Sequence, residues 1–209
     1  MDLFLASSIN FVAINIADKI SKITKNKRLV FIPTASEVEK GDLTWLDEDR
    51  QALKTAGFLV KDYSITDKNQ NQILKELEGV GNVCVGGGNT YYLLSQVRKR
   101  GFDKIVEDLI NKGLIYIGSS AGSLLAGPNI ETSLDDPKTV PELTDYSGLN
   151  LIDVAVRPHW GSERFLERYH QEMDRLYSLK KNMILLRDNQ YLHVKEDWYQ
   201  VITVSEKVV

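Results

Sequence analysis

Residues 114–126 read Leu114-Ile115-Tyr116-Ile117-Gly118-Ser119-Ser120-Ala121-Gly122-Ser123-Leu124-Leu125-Ala126. Four apolar or aromatic residues in succession suit a buried strand, and the small and aliphatic residues that follow suit a helix. The junction between them is G-x-S-x-G. In that context the backbone turns so sharply that only small residues fit beside the serine, and its hydroxyl is thrust out above the sheet. Ser120 is therefore the candidate nucleophile. The N–H of Ala121 would face a developing oxyanion, with the positive end of the following helix behind it. The rival reading is a glycine-serine turn that holds a phosphate.

Outward from this stretch the same strand-then-helix style recurs. Residues 2–6 (DLFLA), 28–32 (RLVFI), 58–63 (FLVKDY), 82–85 (NVCV), 152–156 (IDVAV) and 183–187 (MILLR) read as further strands. Between them, Leu46, Leu53 and Ala56 share a helix face, as do Ile73, Leu77 and Val80, then Leu93, Leu94 and Val97, and Ile105, Leu109 and Ile110. Near-continuous apolar strands alternating with amphipathic helices predict an α/β fold, a mostly parallel sheet with helices on both faces. Residues 191–204 alternate around Glu196-Asp197 and predict a hairpin at a sheet edge. With no repeat or Pro/Gly/Ser linker, residues 1–209 read as one domain. Ligands of such sheets bind beyond the carboxyl ends of the strands.

A second strand exit is unusual. Asn82-Val83-Cys84-Val85 runs into Gly86-Gly87-Gly88 and then Asn89-Thr90, a helix start. Glycines let backbone N–H groups approach a ligand without Cβ obstruction. Gly88 is the candidate second oxyanion donor, and Asn89 a candidate substrate contact. The segment lacks G-x-G-x-x-G and the lysine of a P-loop, which argues against a nucleotide loop.

A serine nucleophile needs a base, and the chain has three histidines. His159 follows an apolar strand in Arg157-Pro158-His159-Trp160-Gly161 and is the best placed. His170 lies mid-helix among Glu167, Arg168 and Gln171 and reads as solvated; His193 reads as filler of a strand face. The base needs an orienting acid. Asp188, after the strand 183–187, is the leading candidate, with Asp135 and Asp136 after the elbow helix and Glu196 and Asp197 in the hairpin turn as alternatives. Cys84 sits mid-strand, where cysteine behaves as a small buried hydrophobe. The charged segment 36–42 (SEVEKGD) reads either as a lid or as a solvated connection.

The composition is globular, with 43% hydrophobic and 26% charged residues. Lys plus Arg number 26 against 29 Asp plus Glu, a net charge of −3 that gives no reason to expect a nucleic-acid partner. A single cysteine and the absence of a basic leader or long apolar run point to a cytoplasmic protein with no membrane partner. H-E-x-x-H and paired-cysteine motifs are missing, so no metal or other cofactor is expected.

VGGGNTYYLL, IGSSAGS and RPHWG, in this order and spacing, resemble the S51 peptidases, the family of the α-aspartyl dipeptidases and, more distantly, the cyanophycinases. The resemblance implies a class I glutamine amidotransferase-like (flavodoxin-like) fold with serine in place of cysteine at the elbow. It puts the nucleophile on Ser120, the histidine on His159 and the oxyanion donors on the N–H groups of Gly88 and Ala121. The family's Thr-Asn-Asp-like segment falls on Thr132-Ser133-Leu134-Asp135, making Asp135 a candidate substrate contact. Two departures stand out. Leu186-Arg187-Asp188-Asn189 offers an aspartate where the family usually has a glutamate. Gly161-Ser162-Glu163-Arg164 follows the histidine at once, so an intervening loop is shortened; Arg164 is the nearest match to the family's aspartate-reading arginine, with Arg168 one turn on. Either arginine would clamp an acidic substrate residue, or both are solvated helix charges beside Glu163 and Glu167. The implied activity is a serine peptidase acting on small peptides, dipeptides with N-terminal aspartate foremost; the chain itself reads equally as a monomer or a homodimer. The alternatives are an S51-like hydrolase of another small peptide, or a binding or chaperone protein on the same fold with little turnover.

Overall fold

The computed structural model describes residues 1–196 and 198–205. In chain order the strands are β1 (Asp2–Ala6), β2 (Arg28–Ile32), β3 (Leu59–Asp62), β4 (Asn82–Val85), β5 (Ile115–Ser119), β6 (Ala155–Arg157), β7 (Met183–Leu185), β8 (Gln190–Lys195) and β9 (Trp198–Thr203). The helices are α1 (Ile9–Ile20), α2 (Thr44–Thr55), α3 (Gln70–Leu77), α4 (Thr90–Arg100), α5 (Phe102–Asn111), α6 (Ala121–Ala126) and α7 (Leu166–Ser178).

Seven of the described strands form one sheet in the order β3-β2-β4-β5-β1-β8-β9. The first five run parallel. The β8–β9 hairpin joins β1 antiparallel, as the alternation of residues 191–204 predicts. Glu196 lies in its turn, whereas Asp197 lies outside the described residues.

The inner strands β1, β2, β4 and β5 are apolar on both sides because both sides are covered. Phe4, Phe31, Cys84 and Ile117 face α1 and α2, whose Ile9, Val12, Ile16, Leu46 and Leu53 close one core. Leu5, Ile32, Val83 and Tyr116 face the other way, against Ile73, Leu94, Val97, Phe102 and Leu125 of α3 to α6. The α1 stripe, Ile9, Val12, Ala13, Ile16 and Ile20, has the helical period that this packing demands. Asn69 and Gln72 form a capping box that starts α3, which ends before Val80. This is the three-layer, flavodoxin-like α/β arrangement. Among the described residues no helix is long and apolar enough to cross a membrane.

One expectation is corrected. The runs 152–156 and 183–187 do not join the main sheet; β6 and β7 form a separate parallel pair of three residues each. The hairpin already occupies the free edge of β1, so these strands have no place there. Residues 152–154 accordingly bend rather than extend. The small pair still matters, because its carboxyl ends carry His159 and Asp188 toward the end of the main sheet.

Candidate active site

Four parallel strands end side by side: β2 at Ile32, β4 at Val85, β5 at Ser119 and β1 at Ala6. The loops leaving them converge on a cavity of about 310 Å³ bordered by Trp45, Gly87, Gly88, Ser120, Arg157 and His159.

At the end of β5 the backbone of Ser120 adopts φ 50° and ψ −109°, a strained conformation that a side-chain-bearing residue rarely takes. Its N–H donates to the Ala6 carbonyl (3.1 Å), and the Ser123 hydroxyl donates to the same oxygen (2.7 Å), tying the turn to β1. The flanking glycines are required sterically. A Cβ on Gly122 would lie 2.1 Å from the Val85 carbonyl oxygen, and one on Gly118 would lie 2.7 Å from the Ser123 nitrogen. Because the obstacle is backbone of the central strand β4, it cannot step aside. We expect Gly122→Ala to cost about 3 kcal/mol of stability, read from the midpoint of urea unfolding; an unchanged midpoint would show that the elbow has more room than its contacts indicate.

His159 meets this serine. Its Nε2 lies 2.9 Å from Ser120 Oγ and its Nδ1 lies 2.6 Å from Asp188 Oδ1. Burial raises the Asp188 pKa, but the hydrogen bond and charge of His159 and the hydrogen bond from Ser7 outweigh it and hold the carboxyl below the ordinary aspartate range. An ionised carboxylate only accepts, so Nδ1 carries the hydrogen and Nε2 is free to accept from the Ser120 hydroxyl. The shorter aspartate does reach the histidine. The turn that closes with the Gln190 N–H donating to the Arg187 carbonyl (2.9 Å) brings its backbone close.

Two further residues that sequence reasoning passed over hold the imidazole. The Ser7 hydroxyl accepts from the His159 N–H (2.7 Å) and donates to Asp188 Oδ1 (3.0 Å), joining the end of β1 to both. Phe165 stacks on the His159 ring at 4.2 Å and 3° between planes. The signal for Phe165 was its place at the start of a helix just beyond the histidine; Ser7 carried no signal, since it is remote in sequence and serine is common after strands.

The glycine run lies opposite. A Cβ on Gly87 would come within 3.2 Å of Ser120 Cβ, so that strand exit faces the serine. Gly88 has φ +126°, and any side chain there would strike the Ala35 carbonyl at 2.3 Å. Among the described residues, the N–H groups of Gly88 and Ala121 have no hydrogen-bond acceptor.

Other predicted contacts are relocated. Asn89 does not border the cavity: its side chain caps α4 by accepting from the Tyr92 N–H (2.9 Å) and donates to Thr139. It belongs to the helix start because an Asn Oδ1 at N-cap satisfies an otherwise unpaired N–H. Asp135 borders the cavity but does not meet His159. Its Oδ2 accepts from the Thr90 N–H and hydroxyl (both 2.8 Å) and from Ser133, and its Oδ1 from Arg168 (3.1 Å). Asp136 accepts from the Lys138 N–H. Neither touches the His159 ring, whereas Asp188 does. Arg164 and Arg168 reach the cavity rim and are exposed, each over the Phe165 ring. His170 is exposed, and His193 is buried against Phe4 as strand filler. Cys84 is fully buried and its thiol pKa is pushed up by burial. The segment 36–42 borders the site through Glu39, whose carboxyl pKa is raised by burial and by Asp135 against the opposing charges of Arg168 and Arg164.

Asp49 of α2 also borders the cavity, 4% exposed. Burial pushes its carboxyl from 3.8 up to about 7, against the stabilising N–H of Asn10 at the start of α1. A raised native pKa favours the fold while the proton stays on, so this contribution is complete below pH 3.8 and is lost as pH rises through about 7. Asp49→Asn, which cannot ionise, is therefore expected to gain more melting temperature relative to wild type at pH 8 than at pH 5. A melting difference that is the same at both pH values would remove the assignment.

A family model described as Peptidase family S51 matches residues 3–202. An uncharacterized peptidase of Listeria monocytogenes, Lmo0363, is 34% identical over 168 residues, 79% of this chain and 81% of its own. Peptidase E of Escherichia coli is 35% identical over 134 residues, 63% of this chain and 54% of its own. The crystal structure of a Listeria monocytogenes EGD-e protein designated a peptidase E superposes with a TM-score of 0.84 at 28% identity, over 98% of each chain.

Proposed function

We propose, from the premise that this chain belongs to peptidase family S51, that it is a serine peptidase of small peptides, above all dipeptides with N-terminal aspartate. The observation that carries the reading is the line from Ser120 Oγ through both His159 ring nitrogens to Asp188, at 2.9 and 2.6 Å. His159 Nε2 takes the hydroxyl proton as Ser120 Oγ attacks the carbonyl carbon. The N–H groups of Gly88 and Ala121 receive the negative oxygen of the tetrahedral adduct. His159 then gives the proton to the leaving amine, and the C–N bond breaks to leave an acyl ester on Ser120. Water, deprotonated by the same imidazole, cleaves that ester and returns the hydroxyl. Asp188 keeps the imidazole in the tautomer and orientation that these transfers need and balances its positive charge when protonated. The enzyme works in the cytoplasm in this reading, in keeping with its single cysteine.

The preference for a small substrate is supported by the size of the cavity, about 310 Å³. The preference for aspartate is supported by the arginines around it. The test is a panel of Asp-X, Asn-X, Leu-X and Ala-X dipeptides, run beside labelling with a serine-directed fluorophosphonate. Labelling at Ser120 with Asp-X cleaved fastest is the expected result. Absence of labelling would end the serine mechanism, and equal cleavage across the panel would end the aspartyl preference.

A further inference from the structure

We infer that Arg157, rather than Arg164 or Arg168, receives the side-chain carboxylate of the substrate residue whose carbonyl is attacked. The inference rests on the reading of this cavity as a peptide site.

Arg157 closes β6 two residues before His159 and borders the same cavity as Ser120 and Ser133. It is 3% exposed. Among the described residues no carboxylate forms an ion pair with it, and its Nε has no hydrogen-bond partner. A guanidinium taken out of water needs an anion and hydrogen-bond acceptors to offset the loss of hydration. Tyr169 offsets part of this loss: its ring lies 4.9 Å from the guanidinium carbon, and its hydroxyl acts on the guanidinium as a hydrogen-bond partner. That ring is itself fixed, since its hydroxyl donates to the Pro158 carbonyl at 2.5 Å. The carboxylate whose charge acts on it is Asp135, whose oxygens are already engaged by Thr90, Ser133 and Arg168. The guanidinium is therefore desolvated, held against an aromatic face and short of an anion, the condition under which an arriving carboxylate is bound with high selectivity.

The two other arginines lack these properties. Arg168 donates to the Leu134 carbonyl (2.7 Å) and to Asp135, and its side chain is 44% exposed. Arg164 is exposed on the rim over Phe165. Water screens both, so they would draw an acidic peptide toward the mouth with little power to tell aspartate from asparagine. In an aspartyl substrate only two carbons separate the attacked carbonyl from the side-chain carboxyl. A reader on the cavity wall beside the nucleophile suits that short reach better than one at the rim.

The test is binding, measured by calorimetry in a Ser120→Ala background with L-aspartate and L-asparagine as probes. Aspartate is expected to bind about tenfold or more tighter than asparagine. Adding Arg157→Gln should weaken aspartate by at least that factor and leave asparagine unchanged. Arg157→Lys keeps the charge without the planar fork, so its preference should fall by less; it is the variant to read if Arg157→Gln does not melt cooperatively. A preference that survives in these variants, that is absent from the start, or that disappears only in Arg164→Gln or Arg168→Gln would overturn the inference. Fluorophosphonate labelling of wild type separates this failure from failure of the hydrolytic reading. Labelled protein without an Arg157-dependent preference keeps the enzyme and loses the reader. Unlabelled protein with that preference keeps the reader and loses the serine mechanism.

Discussion

Ser120→Ala is expected to lower kcat on the order of 10⁴-fold or more on every peptide that the wild type cleaves, with KM little changed. In the proposed mechanism the hydroxyl contributes the bond that forms in the first step, and no neighbour is placed to replace it. Ser119 is next in the chain, but its Oγ accepts from the Ile9 N–H at 3.1 Å and serves the start of α1. Ser123 is turned to the Ala6 carbonyl. Cys84 is buried within β4 with its thiol pKa pushed up, so it offers no alternative nucleophile. The fold should survive, since removing one oxygen at the edge of a cavity leaves the strained backbone with a smaller side chain. Retained activity within about tenfold of wild type would end the nucleophile assignment. An unchanged melting temperature beside the lost activity would separate chemistry from folding.

Asp188→Asn is expected to cost roughly 10³- to 10⁴-fold in kcat near neutral pH. The volume is nearly unchanged, so the loss comes from the hydrogen on the imidazole. An asparagine amide that donates to Nδ1 leaves Nε2 protonated, and a protonated Nε2 cannot accept from Ser120 Oγ. The substitution also removes the negative charge that would balance the imidazolium in the proposed proton transfer. In wild type the carboxyl sits below the ordinary aspartate range, so its favourable contribution to the fold is present above about pH 4 and disappears as pH falls through the lowered native value. The variant should therefore lose part of the wild-type stability advantage at neutral pH, and the two should converge in acid. Asp135→Asn supplies the contrast. It loosens the start of α4 through Thr90 and Ser133 and removes the Arg168 pair, without touching the His159 ring. If Asp135→Asn rather than Asp188→Asn produced the larger loss in kcat, the acid would have been wrongly chosen.

The elbow was legible in the chain because local rules decide it. Strand-forming residues, then glycines around a serine, then helix-compatible residues leave the backbone few alternatives. The strand and helix pattern followed from periodicity for the same reason, as at β1, β2, β4 and β5. His159 was singled out by its position after an apolar run, although that run pairs with β7 outside the main sheet.

What sequence alone determined was the set of candidates: a serine on a sharp turn, glycines at the neighbouring strand end, a histidine after a strand and a short choice of acids. These rest on contacts between residues near one another in the chain, where each residue type restricts its own neighbourhood. Tertiary structure decided among them. Ser7 and Asp188 are 181 positions apart and meet through a hydrogen bond, which no local pattern encodes. Asn89 and Asp135 were drawn to the start of α4 because an unpaired helix N–H competes for the same oxygens that a substrate would use. Arg157 looked like any other arginine in the sequence; only the walls closing around it deprive it of water and leave its Nε without a partner. Burial is a property of the whole assembly of elements, and the charge balance of the cavity is set by it.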